Sequence, residues 1–235
     1  MRNPGEQITG KITSGLALGT LALKTIDFVY EQLPLWRDDP NRPDEQYENK
    51  LNLHLCKFLD VKARNEFPSI RFDHEEYQFG LRSVDISASP ITEVIIGASL
   101  YTIYDPAIVF ECKRLPAPSP EREKEYVTGG IEHKKGGIQR FKLGLHGANH
   151  DMAAMIGYLQ EGSASDWHDK INKWIVELSS GGIADVCVWS RSELLQKLEE
   201  DPLMGIANCQ STHDRIGSAK SNKILIRHLW IKMYM

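Results

Sequence analysis

The chain has no closely spaced cysteine pair. Its four cysteines, Cys56, Cys112, Cys187 and Cys209, lie far apart, which excludes a thiolate zinc site and a dense disulfide framework and suits a reducing, cytoplasmic setting. Long apolar runs are also missing. Ser14 to Leu23 is mildly apolar behind Arg2 and Lys11, but it is short and interrupted by Gly and Thr, so no membrane span is predicted. Its apolar period continues past Lys24 as an amphipathic helix would, rather than ending as a signal peptide does. Nor is there a global excess of positive charge. With a formal net charge of -4, any surface for nucleic acid must be a local patch. Internal repeats, low-complexity tracts and an evident linker are absent as well, so the 235 residues read as a single domain.

Hydrophobic residues make up 41% of the chain, enough for an ordinary globular core. Basic residues are locally concentrated. Eight lysines and arginines fall between Lys113 and Lys142, and five more follow Asp214 without another acid. Each group reads equally as a solvated face or a nucleic-acid surface.

Leu18, Leu21, Ala22, Ile26, Val29, Tyr30 and Leu33 recur at helical steps, predicting a first helix stopped by Pro34. A second helix is expected from near Asp44 to Leu59, with Tyr47, Leu51, Leu55, Phe58 and Leu59 inward. Ile70 to Gln78 and Leu81 to Ser87 read as a hairpin about Gly80, and Ala107 to Lys113 as a third strand. Pro90 to Asp105 reads as a β-rich excursion able to extend the sheet. Helices are then expected from Gly136 through Tyr158 and over Asp166 to Leu178, the last ended by Gly181 and Gly182. Strands follow at Ala184 to Trp189, near Ile206 to Ser211, and at Lys223 to Met233. This order predicts a mixed α/β sheet with helices on its faces.

The triplet Glu111-Cys112-Lys113 ends the apolar run Ala107 to Phe110. Residues two apart on a strand point to one side of a sheet, so the Glu111 carboxylate and the Lys113 ammonium should share one small volume. Glu-x-Lys alone is a weak motif, since about one is expected by chance in a chain of this composition. Its context is stronger. Burying an acid and a lysine behind Ile108-Val109-Phe110 is costly unless they pair or bind an ion, and Asp85 lies in the preceding predicted strand. Mg²⁺ takes hard oxygen ligands, commonly one or two carboxylates with water and phosphate. Asp85, Glu111 and the carbonyl of Cys112 are ligands of that kind, and Lys113 would orient an attacking water and offset phosphate charge. A structural salt bridge is the competing reading.

Asp85 followed by Glu111-x-Lys113 on the next core strand resembles the PD-(D/E)XK nuclease superfamily, the restriction-endonuclease-like fold. The resemblance implies a mixed central sheet in αβββαβ order over about residues 44–190, with a helical N-terminal extension (1–43) and a C-terminal strand extension (191–235). It also implies Mg²⁺- or Mn²⁺-dependent cleavage of nucleic acid, DNA before RNA. Val84 stands where the family name has proline, a position that varies among members. Many members place a glutamate on the helix before the first strand. Glu48 shares a helix face with Leu51 and Leu55 and is preferred to Glu45. Gln139 resembles a polar residue that some members carry after the triplet. Arg114, Arg140, Lys142, His213 and Arg215 are candidates for phosphate or base contact. The patterns around Trp36, Glu111, Gln139 and Met155 also resemble bacterial phage-defence nucleases, and the modest basic charge is compatible with a subunit that waits for a helicase or ATPase partner to deliver DNA.

Two other readings compete. His146-x-x-x-His150-Asp151 would form a zinc hydrolase site if helical, although Gly147 and the missing Glu of HExxH weaken it. A nuclease-like module could also bind nucleic acid without cutting. Inactive relatives usually lose an acid or the lysine, and both are present here.

Overall fold

Three- and four-residue apolar spacing lays down the first two helices. A computed structural model describes residues 20–78, 82–96, 99–217 and 219–234, with α1 at Thr20–Arg37 and α2 at Glu48–Glu66. Leu18 and Gly80 lie outside the described residues. Pro34 does not stop α1. A proline inside a helix costs about 3 kcal/mol. Trp36, 1% exposed, packs into the core just beyond it, and burying so large a ring contributes a comparable amount. Helix α2 starts at Glu48 rather than near Asp44 and continues past Leu59, because Ala63 prolongs the buried stripe of Leu51, Leu55 and Leu59.

Strands β1 (Ile70–Tyr77) and β2 (Ser83–Pro90) pair antiparallel. The segment after β2 does not extend this sheet; β3 (Val94–Ile96) and β4 (Ser99–Tyr101) form a separate small hairpin. Strand β5 (Ile108–Leu115) returns antiparallel to β2. The short helices α3 (Gly130–His133) and α4 (Gly137–Lys142) then lead to β6 (Met152–Leu159), which runs parallel to β5. Helix α5 (Ala164–Ser179) is capped by the Ser163 hydroxyl, which accepts from Asp166 N. It buries Trp167, Ile171, Trp174, Ile175 and Leu178 as its spacing predicts. Strands β7 (Glu199–Asp201), β8 (Ile206–Asp214) and β9 (Lys223–Lys232) complete a seven-stranded mixed sheet ordered β1-β2-β5-β6-β9-β8-β7. Helices α1 and α2 cover one face; α4 and α5 cover the other.

Three further expectations need correction. Met152 to Tyr158 is a central strand, not a helix. Both of its faces are buried, so it reads as a continuous apolar run without alternation. A side chain at Gly157 would put its Cβ 2.4 Å from Trp230 on β9, so the glycine lets β9 pack alongside. Ala184 to Trp189 is not a strand. Its backbone is held by Asp185, which accepts from the Thr128 hydroxyl, the Gln139 amide and Cys187 N. Finally, the C-terminal strands are not an appendage. Strand β9 pairs with β6 inside the sheet and buries Ile226, Leu229, Trp230 and Ile231.

Candidate active site

Strand geometry creates the site where β2 and β5 part. Their ladder pairs Ala88 with Ile108, Ser87 with Val109 and Ile86 with Phe110, then stops. Asp85 and Glu111 are the next residues on the two strands. Cys112 N, freed from the ladder, donates instead to Asp85 Oδ2 at 2.7 Å. Alternation sends Phe110 and Cys112 into the core beneath α1 and α2, and Glu111 and Lys113 to the opposite face.

Glu111 is almost fully buried, its side chain 1% exposed. Its Oε1 receives Lys113 Nζ at 2.9 Å and Arg140 Nη1 at 2.7 Å. Its Oε2 stands 3.0 Å from His146 Nδ1, but the two atoms are not aligned as a hydrogen bond and neither has another partner. Lys113 Nζ also reaches the Cys112 carbonyl at 3.0 Å and Glu48 Oε1 at 3.3 Å, so its three protons find three oxygens. Glu48, in the first turn of α2, accepts Arg114 N on its other oxygen at 2.9 Å. The helix start is thereby fixed to β5.

The electrostatics follow from this crowding. Burial, then the neighbouring Glu111 carboxylate, pushes Asp85 up to about 7. Burial would raise Glu111 too, yet Lys113, His146 and Arg140 together hold it well below the usual carboxylate range. Burial works against the Lys113 ammonium, but Glu111, Glu48 and Asp85 outweigh it and keep the group charged. A cleft of about 350 Å³ opens onto Glu48, Asp85, Lys113, Arg140 and His146, with Arg82, Arg122 and Lys135 also along its walls.

The other expected residues divide. Arg140 enters the cleft. Gln139 does not; its buried amide accepts from Gly129 N and Gly136 N and donates to Gly130 O and Asp185 Oδ2, bracing the start of α4. Lys142 is buried against Glu193 and the Trp189 ring. His213 is fully buried within β8. Arg215 is buried and donates to the carbonyls of Phe141, His146, Gly147 and His150. These last three are therefore shielded from nucleic acid. Arg114 is partly buried, with Nε donating to Gln160.

The zinc reading fails because residues 143–150 form turns rather than a helix. His146 faces Glu111, while His150 lies near Arg215, with burial and that guanidinium lowering it to about 4. Sequence reasoning thus missed His146 as part of this site and the contact of Arg140 with Glu111. The histidine was visible in the spacing motif, but its partner was not.

Among the described residues, no three His, Cys, Asp or Glu side chains already stand close enough to hold a metal ion unaided. The donor chemistry nevertheless fits a divalent cation. Mg²⁺ commonly needs only one or two protein carboxylates, Asp85 binds its proton unusually tightly, and Glu111 Oε2 faces only His146, without a well-formed hydrogen bond. Asp85, Glu111 and the Cys112 carbonyl could supply the oxygens. Among the described residues, no helix is long and apolar enough to cross a membrane. No protein-family model matches the chain, and neither curated proteins nor solved structures provide a significant match.

Proposed function

We propose that the chain is a metal-dependent nuclease that hydrolyses phosphodiester bonds in nucleic acid, DNA foremost, with Mg²⁺ or Mn²⁺ as cofactor. The observation that carries this reading is the meeting of Asp85, Glu111 and Lys113 at the point where β2 and β5 separate, with Asp85 and Lys113 lining a cleft also reached by Glu48 and the Glu111 carboxylate buried just behind it. With the β3–β4 hairpin and the short α3 set aside, the order α2-β1-β2-β5-α4-β6 supports it, being compatible with the αβββαβ order of the PD-(D/E)XK nucleases that the motif resembles.

Asp85 and Glu111 would hold the ion, with the Cys112 carbonyl beside them. When bound, the ion supplies a water made nucleophilic near neutral pH and charge relief on the phosphate. Lys113 remains charged, so it orients the water and offsets phosphate charge rather than removing a proton. Glu48 positions Lys113 and the β5 backbone together. Arg140, whose side chain is 26% exposed, can contact a phosphate in the cleft.

The test incubates the purified chain with plasmid, linear duplex, single-stranded DNA and RNA, each with Mg²⁺, Mn²⁺ or EDTA. Metal-dependent cutting should disappear in Asp85→Ala, Glu111→Ala and Lys113→Ala, with circular dichroism showing that the fold survives. Cutting in EDTA, or by all three variants as by wild type, would overturn the proposal.

The biological setting suggested by the residue patterns is anti-phage defence, with a helicase or ATPase partner delivering DNA. The mixed charge of the cleft favours this second reading, because Glu48, Asp85 and Glu125 lie among its cations and weaken its intrinsic grip on DNA. Activity of the isolated chain should then be low and rise with a partner. Strong unassisted plasmid degradation would count against it.

A further inference from the structure

Glu111 Oε2 and His146 Nδ1 form an unusual contact. They lie 3.0 Å apart, belong to side chains each 1% exposed, and both lack a hydrogen-bond partner. The two are close enough to pair as ions yet make no well-formed hydrogen bond, so the contact gains less than a buried polar pair ordinarily does. Adjacent donors on an octahedral divalent ion, with bonds of about 2.1 Å at right angles, are separated by about 3.0 Å. The two orphaned atoms have that spacing.

The imidazole is also well supported. Arg215 gathers the carbonyls of Phe141, His146, Gly147 and His150, pinning the turn that presents it. Gly147 N donates to Gln78 Oε1 at 3.1 Å, and Gly147 adopts a left-handed φ of 58°, which glycine allows without strain. The edge-on Phe141 ring sits 6.1 Å away, centre to centre. Holding a ligand's orientation with a surrounding shell is how proteins preorganise metal sites.

We propose that His146 is a direct metal ligand through Nδ1, beside Glu111 Oε2, and that the centre selects a transition-metal cation such as Mn²⁺ over Mg²⁺. This deepens the nuclease reading and rests on it for the role of Glu111. Mg²⁺ favours oxygen donors, whereas first-row transition ions accept imidazole nitrogen alongside carboxylate. Asp85 and His146 line the same cleft, and water and substrate phosphate would complete the shell.

The test measures binding by the full chain, independently of cleavage. Mn²⁺ and Mg²⁺ affinities are measured by calorimetry, and pulsed electron paramagnetic resonance of bound Mn²⁺ is used to detect imidazole-nitrogen coupling. Wild type should show that coupling and prefer Mn²⁺. His146→Gln should lose the coupling and bind Mn²⁺ more weakly by about 10–100-fold, with little change for Mg²⁺. Thermal melts of the metal-free proteins verify that both are folded.

Mn²⁺ bound without nitrogen coupling, or an unchanged Mn²⁺-to-Mg²⁺ ratio in His146→Gln, overturns the inference and marks the contact as a poorly aligned carboxylate-histidine pair. The two readings remain separable. Nitrogen-coordinated Mn²⁺ in a protein that cuts nothing retains the ligand and removes the nuclease; metal-dependent cutting without nitrogen coupling does the reverse. Failure to bind Mn²⁺ overturns the inference, and failure to bind Mg²⁺ as well overturns both.

Discussion

The cleft and a second polar cluster in the same sheet contain similar residues arranged to different ends. In the second cluster, Trp230 Nε1 donates to Tyr126 Oη at 2.9 Å, and Tyr126 Oη reaches His228 Nδ1 at 2.7 Å. His228 Nε2 lies 2.8 Å from Ser211 Oγ, which lies 2.7 Å from His213 Nε2. Beyond His213, Glu193 is ion-paired with Lys142. Burial lowers both histidines and keeps them neutral. Each hydroxyl and imidazole can then donate once and accept once, giving a chain that runs in one direction toward Glu193.

Ser211, His213 and Glu193 are the residue types of a nucleophilic triad. The structure argues against that role. Ser211 and His213 are fully buried, and His213 Nδ1 stands 3.7 Å from Glu193, too far for a hydrogen bond. At the other site, by contrast, charged groups crowd around buried Glu111, while Asp85 and Lys113 line the cleft, which is open to solvent, and Asp85 retains a raised proton affinity. Polar burial alone does not mark function. Mismatch combined with access does.

The sharpest test of this contrast pairs an activity loss with a stability loss. Lys113→Ala should reduce cleavage on the order of 10³-fold with little change in melting temperature. If it instead unfolds the protein, the cleft is a strut like its counterpart. Glu193→Ala should do the opposite. Stranding buried Lys142 should destabilise the fold by about 3–5 kcal/mol, seen in urea unfolding, while activity per folded molecule is retained. Ser211→Ala interrupts the chain of neutral groups and should cost about 1–3 kcal/mol, again without affecting cleavage. A cleavage defect from Ser211→Ala in folded protein would blur the distinction.

The smallest effect concerns pH. Asp85 is raised from an ordinary 3.8 to about 7, so between those values the folded protein retains a proton that the unfolded chain has lost. Stability of the metal-free protein should therefore fall as pH rises through that window. Asp85→Asn should flatten this slope in thermal melts with EDTA. Adding Mn²⁺ at pH 8 should raise the melting temperature of wild type but not of the variant. A slope unchanged in Asp85→Asn would show that Asp85 is not the group responsible.

Much of the fold was legible where a segment has one buried face. Leu51, Leu55 and Leu59 on α2 and Trp167, Ile171 and Trp174 on α5 carry helical spacing because their opposite faces meet water. Met152 to Leu159 misled because burial on both faces removes periodicity. Ala184 to Trp189 misled in the other direction, having strand composition but no neighbouring strand to pair with. Pairing is a property of the partner as much as of the segment.

The site divides in the same way. Local sequence alone determined that Glu111 and Lys113 share a face, through strand alternation, and that Glu48 belongs near the buried side of its helix. Only tertiary structure decided which groups meet them. Parting of β2 from β5 brought Asp85 to Cys112 N, the turn clamped by Arg215 brought His146 to Glu111, and α4 directed Arg140 rather than Gln139 into the cleft. The physical reason is range: side-chain direction is set within a few residues by backbone geometry, whereas Arg140 and His146 lie 29 and 35 residues from Glu111 in sequence and are brought close by packing of the whole sheet.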